Sequence, residues 1–284
     1  MNITNAAQLK GQIKRLAREC GVDPRILLRI YMMERFLDRV SRSGYRESFV
    51  LKGGLLISQL VGVNLRTTMD IDTTMHGIPI SLGATQEFID EVIKIETGDH
   101  VSFTLDRLEE IMEDASYQGI RAHLTATFDR TRTPVKVDIS TGHAITPRAL
   151  SRSLTAMFSE PIPMLVYPTA TIIAEKLQTV LSRATFNTRM RDFYDLHALS
   201  NASDILPNEA ELQEALLATM DNRNSMALLP QASDIMEAIA SSEHMGKLWQ
   251  DYNLRYEWAK DLTWEDVLSS TKNLLHTALP DRDG

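Results

Sequence analysis

Residues 66–75 read Arg-Thr-Thr-Met-Asp-Ile-Asp-Thr-Thr-Met, and the segment Met69–Met75 has the makings of a short β-strand bearing Asp70 and Asp72. Side chains two apart in a strand share a face, so the two carboxylates are expected side by side. Such a pair repels unless a cation joins it, and an all-oxygen set suits Mg²⁺ or Mn²⁺ better than zinc. Upstream, Ser48–Lys52 is short and apolar and runs into Gly53-Gly54 and then Leu55–Val61. That order predicts an extended segment, a tight turn and a helix. Bare glycine N–H groups at a helix start can hold a phosphate. Downstream, Val135-Lys-Val-Asp-Ile-Ser140 predicts a strand that carries a third carboxylate, Asp138, with Val137 and Ile139 on the other face. Each feature alone has a plainer reading: a simple turn for the glycines, and for Asp138 a strand residue paired with a neighbouring arginine. Together they describe what metal-assisted nucleotidyl transfer requires, two carboxylates for the metal and triphosphate and a third for the attacking hydroxyl. A second Asp-x-Asp, Asp281 and Asp283, sits in a polar tail and reads as solvated.

Outward from this stretch the chain divides by pattern. Leu9, Ile13, Leu16, Ala17 and Cys20 have helical spacing among basic residues, and Gly21 ends that segment. Asp23-Pro24 starts a second helix that runs to about Ser41. Residues 86–98 read as helix; Val101–Leu105, His123–Phe128 and Val135–Ser140 read as strands. From Pro168 onward the pattern is almost wholly helical, over 169–184, 188–200, 208–221, 230–241, 245–260 and 264–278. The expectation is an α+β fold, a mixed sheet with flanking helices followed by a helical C-terminal region. We divide it into an α/β domain over 1–160 and a helical domain over 161–284.

Of 284 residues, 43% are apolar and 24% charged, and the one cysteine, Cys20, has no internal disulfide partner. This composition excludes collagen, coiled coil and a disulfide framework, and points to a reducing, cytoplasmic setting. No apolar run nears the roughly 18–20 residues of a membrane span, and Met1–Lys10 lacks the apolar core of a secretory signal. The net charge of −8 argues against loose nucleic-acid binding. It is unevenly spread, at +6 over 1–60, −7 over 61–145, +2 over 146–200 and −9 over 201–284. The seven histidines show no paired ligand spacing, there is no Gly-x-Ser-x-Gly, and no Gly-Lys-[Ser/Thr] makes a P-loop.

In the helix over 169–184 the stripe Ile173, Leu177, Val180 and Leu181 leaves Lys176 and Arg183 on one flank, about 20° apart at 100° per residue. Either cation could meet a phosphate; a solvated flank is the plainer alternative. Asp192 and Asp195 share a helix face further on, Asp192 suited to orient Lys176 or Arg66 and Asp195 to pair with Arg191. Arg66 is placed to touch a phosphate or brace the carboxylates. A phosphate added at Thr67 or Thr68 would oppose triphosphate binding.

The runs Met33-Glu-Arg-Phe-Leu-Asp-Arg39, Phe49-Val-Leu-Lys-Gly-Gly54 and Arg66-Thr-Thr-Met-Asp-Ile-Asp72 resemble the AbiEii/AbiGii-type nucleotidyltransferase toxins. So does the stretch from Ala174-Glu-Lys-Leu177 through Arg191-Asp-Phe-Tyr-Asp-Leu196. The resemblance covers roughly residues 5–200. It implies a nucleotidyltransferase fold of the DNA polymerase β-like superfamily, acting as the toxin of a toxin–antitoxin or phage-exclusion system. By that likeness Gly53, Gly54, Asp70 and Asp72 form the first catalytic motif, and Lys176 and Asp192 belong to later ones. Asp138 fits the third carboxylate more loosely. Gly53-Gly54 stands where much of the superfamily has Gly-Ser, which leaves triphosphate binding to backbone and basic side chains.

The function expected is transfer of a nucleotidyl group from an NTP to RNA, the tRNA 3′ end foremost, with Mg²⁺ or Mn²⁺. Catalysis is assigned to Asp70, Asp72, Asp138, Lys176 and Asp192, nucleotide binding to Gly53, Gly54, Arg66, Lys176 and Arg183, and metal to Asp70, Asp72 and Asp138. A cognate antitoxin is the expected protein partner, with no membrane. The alternatives are nucleotidylation of a protein hydroxyl or a GTP-binding toxin, and a catalytically inactive partner-binding module. The acidic helices after 200 either contact an antitoxin or complete the fold, and we favour the second.

Overall fold

The computed structural model describes residues 3, 5–63, 66–114 and 117–279, apart from the side chains of residues 113, 114, 117 and 118; Asp281 and Asp283 lie outside the described residues. The contacts divide the chain into two units, residues 1–143 with 149–166, and residues 144–148 with 167–284.

The first unit begins with α1 (Ala6–Cys20), capped by the Asn5 side chain, and α2 (Pro24–Arg42), capped by Asp23 with proline in its first turn. Asn5 and Asp23 each satisfy a backbone N–H that a helix start leaves without a partner. A sheet follows: β1 (Phe49–Lys52), β2 (Ile71–Met75), β3 (Val101–Asp114), β4 (Tyr117–Phe128), β5 (Thr131–Ser140), β6 (Leu150–Leu154) and β7 (Ile162–Val166). Two helices interrupt it, α3 (Gly53–Val61) and α4 (Leu82–Ile93). The strand order is β3-β4-β5-β2-β1-β7-β6, with β2–β5 and β1–β7 parallel and the other pairs antiparallel. Helices α2 and α4 pack against this sheet. Val135, Val137 and Ile139 of β5, with Ala122 and Leu124 of β4, are buried, as are Phe36, Leu37 and Val40 of α2. Alternation therefore sends the intervening residues, Arg121 and Asp138 among them, to the other face.

Strands β6 and β7 were not expected. β7 pairs in parallel with β1 and belongs to the first unit, which thus extends to Val166. β3 and β4 are longer than expected because they form one long antiparallel hairpin whose outer half is polar. A buried ion pair ties α2 to the start of β3: Arg39 Nη1 and Nη2 donate to Asp99 at 2.8 and 2.9 Å, and Nη2 also to the Val101 carbonyl at 2.6 Å. Burial works against the Asp99 carboxylate, but this fork holds its pKa below the ordinary value.

The second unit holds α5 (Thr169–Arg183), α6 (Met190–Ser200), α7 (Glu209–Asn222), α8 (Ala232–Ser241), α9 (Glu243–Arg255) and α10 (Trp264–Ala278). Trp249 and Trp264 lie 6.0 Å apart between ring centroids, Trp264 meets Phe193 edge-on at 5.0 Å, and Trp249 Nε1 donates to the Leu262 carbonyl at 3.1 Å. Leu212, Leu216, Trp249 and Val267 are buried, so the acidic C-terminal helices supply this unit's core. Among the described residues no helix is long and apolar enough to cross a membrane.

Within α2, Glu34 is 4% exposed and accepts the Met157 N–H at 3.0 Å. Burial pushes its pKa up to about 8, against the pull of that hydrogen bond and of Arg35. The folded protein then holds a proton there that the unfolded chain releases at its ordinary pKa of 4.5. Stability from this group is complete below that value and falls as pH rises toward 8. Glu34→Gln is expected to flatten the decline, melting a few degrees above wild type at pH 8 and level with it near about pH 5 when followed by calorimetry.

Candidate active site

The β1-α3 junction forms because a glycine is required there. Gly53 has φ +66°, a left-handed conformation that favours glycine. A Cβ on it would also collide with the Asp72 carboxylate. The chain then enters α3 so that the Gly54 N–H points at Asp72 Oδ2, 3.3 Å away. Gly54 is crowded from the other side, since a Cβ there would lie 2.8 Å from Thr68 Oγ1 and 2.9 Å from Arg66 Nη2. Arg66 is buried and donates to the Thr67 carbonyl, so it braces the turn. Thr67 and Thr68 are buried too, and their hydroxyls do not offer themselves to a modifying enzyme.

β2 begins at Ile71, so Asp70 stands in a bend just before the strand and not within it. One of its carboxylate oxygens, Oδ1, is buried with no hydrogen-bond partner among the described residues. A buried carboxylate oxygen without a donor is costly, and a cation would offset that cost.

Register builds the rest. Lys52 of β1 is the cross-strand partner of Asp72 in β2, Asp72 of Asp138 in β5, Asp138 of Arg121 in β4, and Arg121 of Glu109 in β3. Cross-strand partners share a face, so these five side chains form a transverse row with signs +, −, −, +, −. Arg121 grips Asp138 with both arms, Nε to Oδ1 at 2.7 Å and Nη2 to Oδ2 at 2.6 Å. The Asp138 bond, followed by the negative charges of Asp138, Asp70 and Glu109, holds the Arg121 pKa above its usual value despite some desolvation. Lys52 is buried, with Nζ 3.4 Å from His143 Nε2.

The plainer reading of Asp138, a strand residue paired with a neighbouring arginine, thus describes its present contacts. Asp70, Asp72 and Asp138 are not assembled as one metal cluster: among the described residues no three Asp, Glu, His or Cys side chains stand close enough together to hold an ion. The residues unforeseen are Arg121, Lys52 and Glu109. The signal for Arg121 was the β4-β5 hairpin, in which Phe128 pairs with Thr131 across Asp129-Arg130; counting back from it pairs Arg121 with Asp138.

In the second unit, Lys176 Nζ lies 2.8 Å from Asp192 Oδ1 and 2.7 Å from Asp195 Oδ2. Asp195 was expected beside Arg191; it instead turns inward, fully buried, to Lys176. Burial alone would lower the lysine pKa, but the two carboxylates outweigh it and hold the ammonium charged. Arg183, at the end of α5, is half-buried.

Two stability predictions follow from these geometries. Gly53→Ala should cost about 1–3 kcal/mol in urea unfolding, from backbone strain and the displaced carboxylate; Gly54→Ala, with no positive φ to violate, should cost less. Lys176→Ala should cost about 3–5 kcal/mol by leaving two buried carboxylates without their cation. An unchanged urea midpoint in Lys176→Ala would mean the ion triad is not formed.

The family described as nucleotidyl transferase AbiEii toxin, type IV toxin–antitoxin system, matches residues 35–270. A candidate nucleotidyltransferase of H. pylori shares 16% identity, aligning over 90% of this chain and 94% of its own with a TM-score of 0.50. JHP933 from Helicobacter pylori, also 16% identical, aligns over 89% and 90% with a TM-score of 0.49. No curated protein is significantly similar in sequence. At this identity the first likeness shows the fold alone.

Proposed function

This chain belongs to the AbiEii nucleotidyltransferase toxin family, and from that premise we propose that it transfers a nucleotidyl group from an NTP to RNA, with the tRNA 3′ end as acceptor and Mg²⁺ as cofactor. The observation that carries the reading is the buried oxygen of Asp70 that lacks a donor, two residues before Asp72, whose carboxylate the Gly54 N–H holds at the glycine turn. Magnesium is commonly bound by one or two carboxylates with substrate phosphates completing its shell, and this pair fits that demand. When bound, the ion would polarise the phosphate and offset the charge that develops on it.

The chain's own residues divide the remaining work. Asp70 and Asp72 hold the cation, or Mn²⁺ in its place. Gly53 and Gly54 keep side-chain bulk away from Asp72, and Arg66 fixes the turn. Asp138 accepts the proton of the acceptor hydroxyl as its oxygen attacks the α-phosphorus and pyrophosphate leaves. From the second unit we assign Lys176 and Arg183 to nucleotide phosphate and Asp192 to holding the ammonium. A basic surface suits an RNA acceptor, and the exposed Lys10, Lys14, Arg15 and Arg18 of α1 offer cations for one. A cognate antitoxin follows from the type IV family as its partner.

Incubating the protein with labelled NTPs and total tRNA tests the proposal. Wild type should label tRNA, and Asp70→Ala and Asp72→Asn should lower the rate by at least about a hundredfold, the scale of losing a transition-state charge contact. Labelling should also fall steeply with salt. Equal labelling by Asp70→Ala, or label on co-expressed protein and not on tRNA, would overturn it.

A further inference from the structure

The third carboxylate of the proposed reaction is occupied. Asp138 gives an acceptor site on each oxygen to Arg121, which clamps the carboxylate and turns it toward the arginine and not toward a substrate hydroxyl. The pair is nonetheless built into the row: Asp138 and Asp72 are register partners on adjacent parallel strands, about 4.8 Å apart by strand spacing, and would repel without a neighbouring cation. Arg121 supplies that cation. It is the more open of the two, with 29% of its side chain exposed against 13% for Asp138, and the negative charges of Asp70 and Glu109 also bear on it. A guanidinium fork matches a phosphate as well as a carboxylate, and a triphosphate offers more charge.

Resting on the nucleotidyl-transfer reading, we propose that Arg121 changes partner during the reaction: it holds Asp138 while no nucleotide is present and moves to the phosphates of an arriving NTP, which frees Asp138 to act as base. The exchange keeps charge in balance, one anion replacing another on the guanidinium. In the step that follows, the acceptor oxygen bonds to the α-phosphorus, the α–β bridging bond breaks with its electron pair leaving on pyrophosphate, and the proton passes to Asp138. Arg121 then acts in two places: on Asp138 it offsets the repulsion within the carboxylate row, and on the nucleotide it becomes a phosphate ligand.

The exchange makes a prediction of opposite signs that a purely structural ion pair does not. Binding of a labelled non-hydrolysable NTP analogue is measured by equilibrium dialysis, with Mg²⁺ and with chelator, alongside thermal melting to confirm folding. Arg121→Gln should weaken binding about tenfold, the loss of one charge-assisted contact, and Arg121→Lys should fall between it and wild type. Asp138→Asn should bind the analogue several-fold tighter than wild type, because Arg121 is released to the phosphate, while losing transfer to tRNA. In Arg121→Gln/Asp138→Asn the tightening should vanish. If Asp138→Asn and either Arg121 variant weaken binding together, or neither changes it, the pair is structural and the exchange is wrong, with nucleotidyl transfer left standing. If folded wild type binds no analogue, or Asp72→Asn transfers nucleotide as wild type does, the nucleotidyl reading fails and the exchange with it.

Discussion

Two carboxylates placed at the same level of adjacent strands are the constraint around which the first unit is organised. Asp72 and Asp138 are register partners of β2 and β5, and their mutual repulsion opposes the pairing that aligns them. The neighbouring strands supply the compensation: Lys52 of β1 on one side, Arg121 of β4 on the other, with Glu109 of β3 beyond it. Five strands contribute to a charge pattern that none carries alone. The order β4-β5-β2-β1 thus sets a cation on each side of the carboxylate pair while its other face builds the core.

The same economy governs the approach to the row. Gly53 leaves room for the Asp72 carboxylate, and the start of α3 turns the Gly54 N–H onto it. Arg66 and Thr68 close in behind Gly54, which makes the turn a packed object and not a loose loop. Asp70 stands outside this scaffold, just before β2, and keeps one buried oxygen without a donor. That oxygen is the feature on which the proposed cation site rests. The second unit shows a contrasting solution, one ammonium between two aspartates, where the charges are held within their own cluster.

Much of the fold was legible as pattern. The helices from α5 onward carry apolar stripes of the right period, and α1 and α2 add side-chain caps and a Gly or Pro boundary. The missed strands have physical reasons for their silence. β6 reads Leu-Ser-Arg-Ser-Leu and is mostly exposed, so it has no buried face to declare itself. β7 contains Pro163, which weakens a strand signal. The outer half of β3, Asp106–Asp114, is acidic and is held as strand by its pairing with β4.

By itself the sequence singled out the residues on which the proposed chemistry rests: the glycine pair, Asp70, Asp72, Asp138, and the lysine and aspartates of the helical half, because residue type and short-range spacing are local properties. Only the tertiary structure decided who neutralises whom. Arg121 meets Asp138 across a hairpin, Asp195 meets Lys176 and not the nearby Arg191, and Asp70 falls outside the strand that holds Asp72. Charges interact according to distance in space, and strand register and helix packing set that distance over separations that no local spacing rule spans.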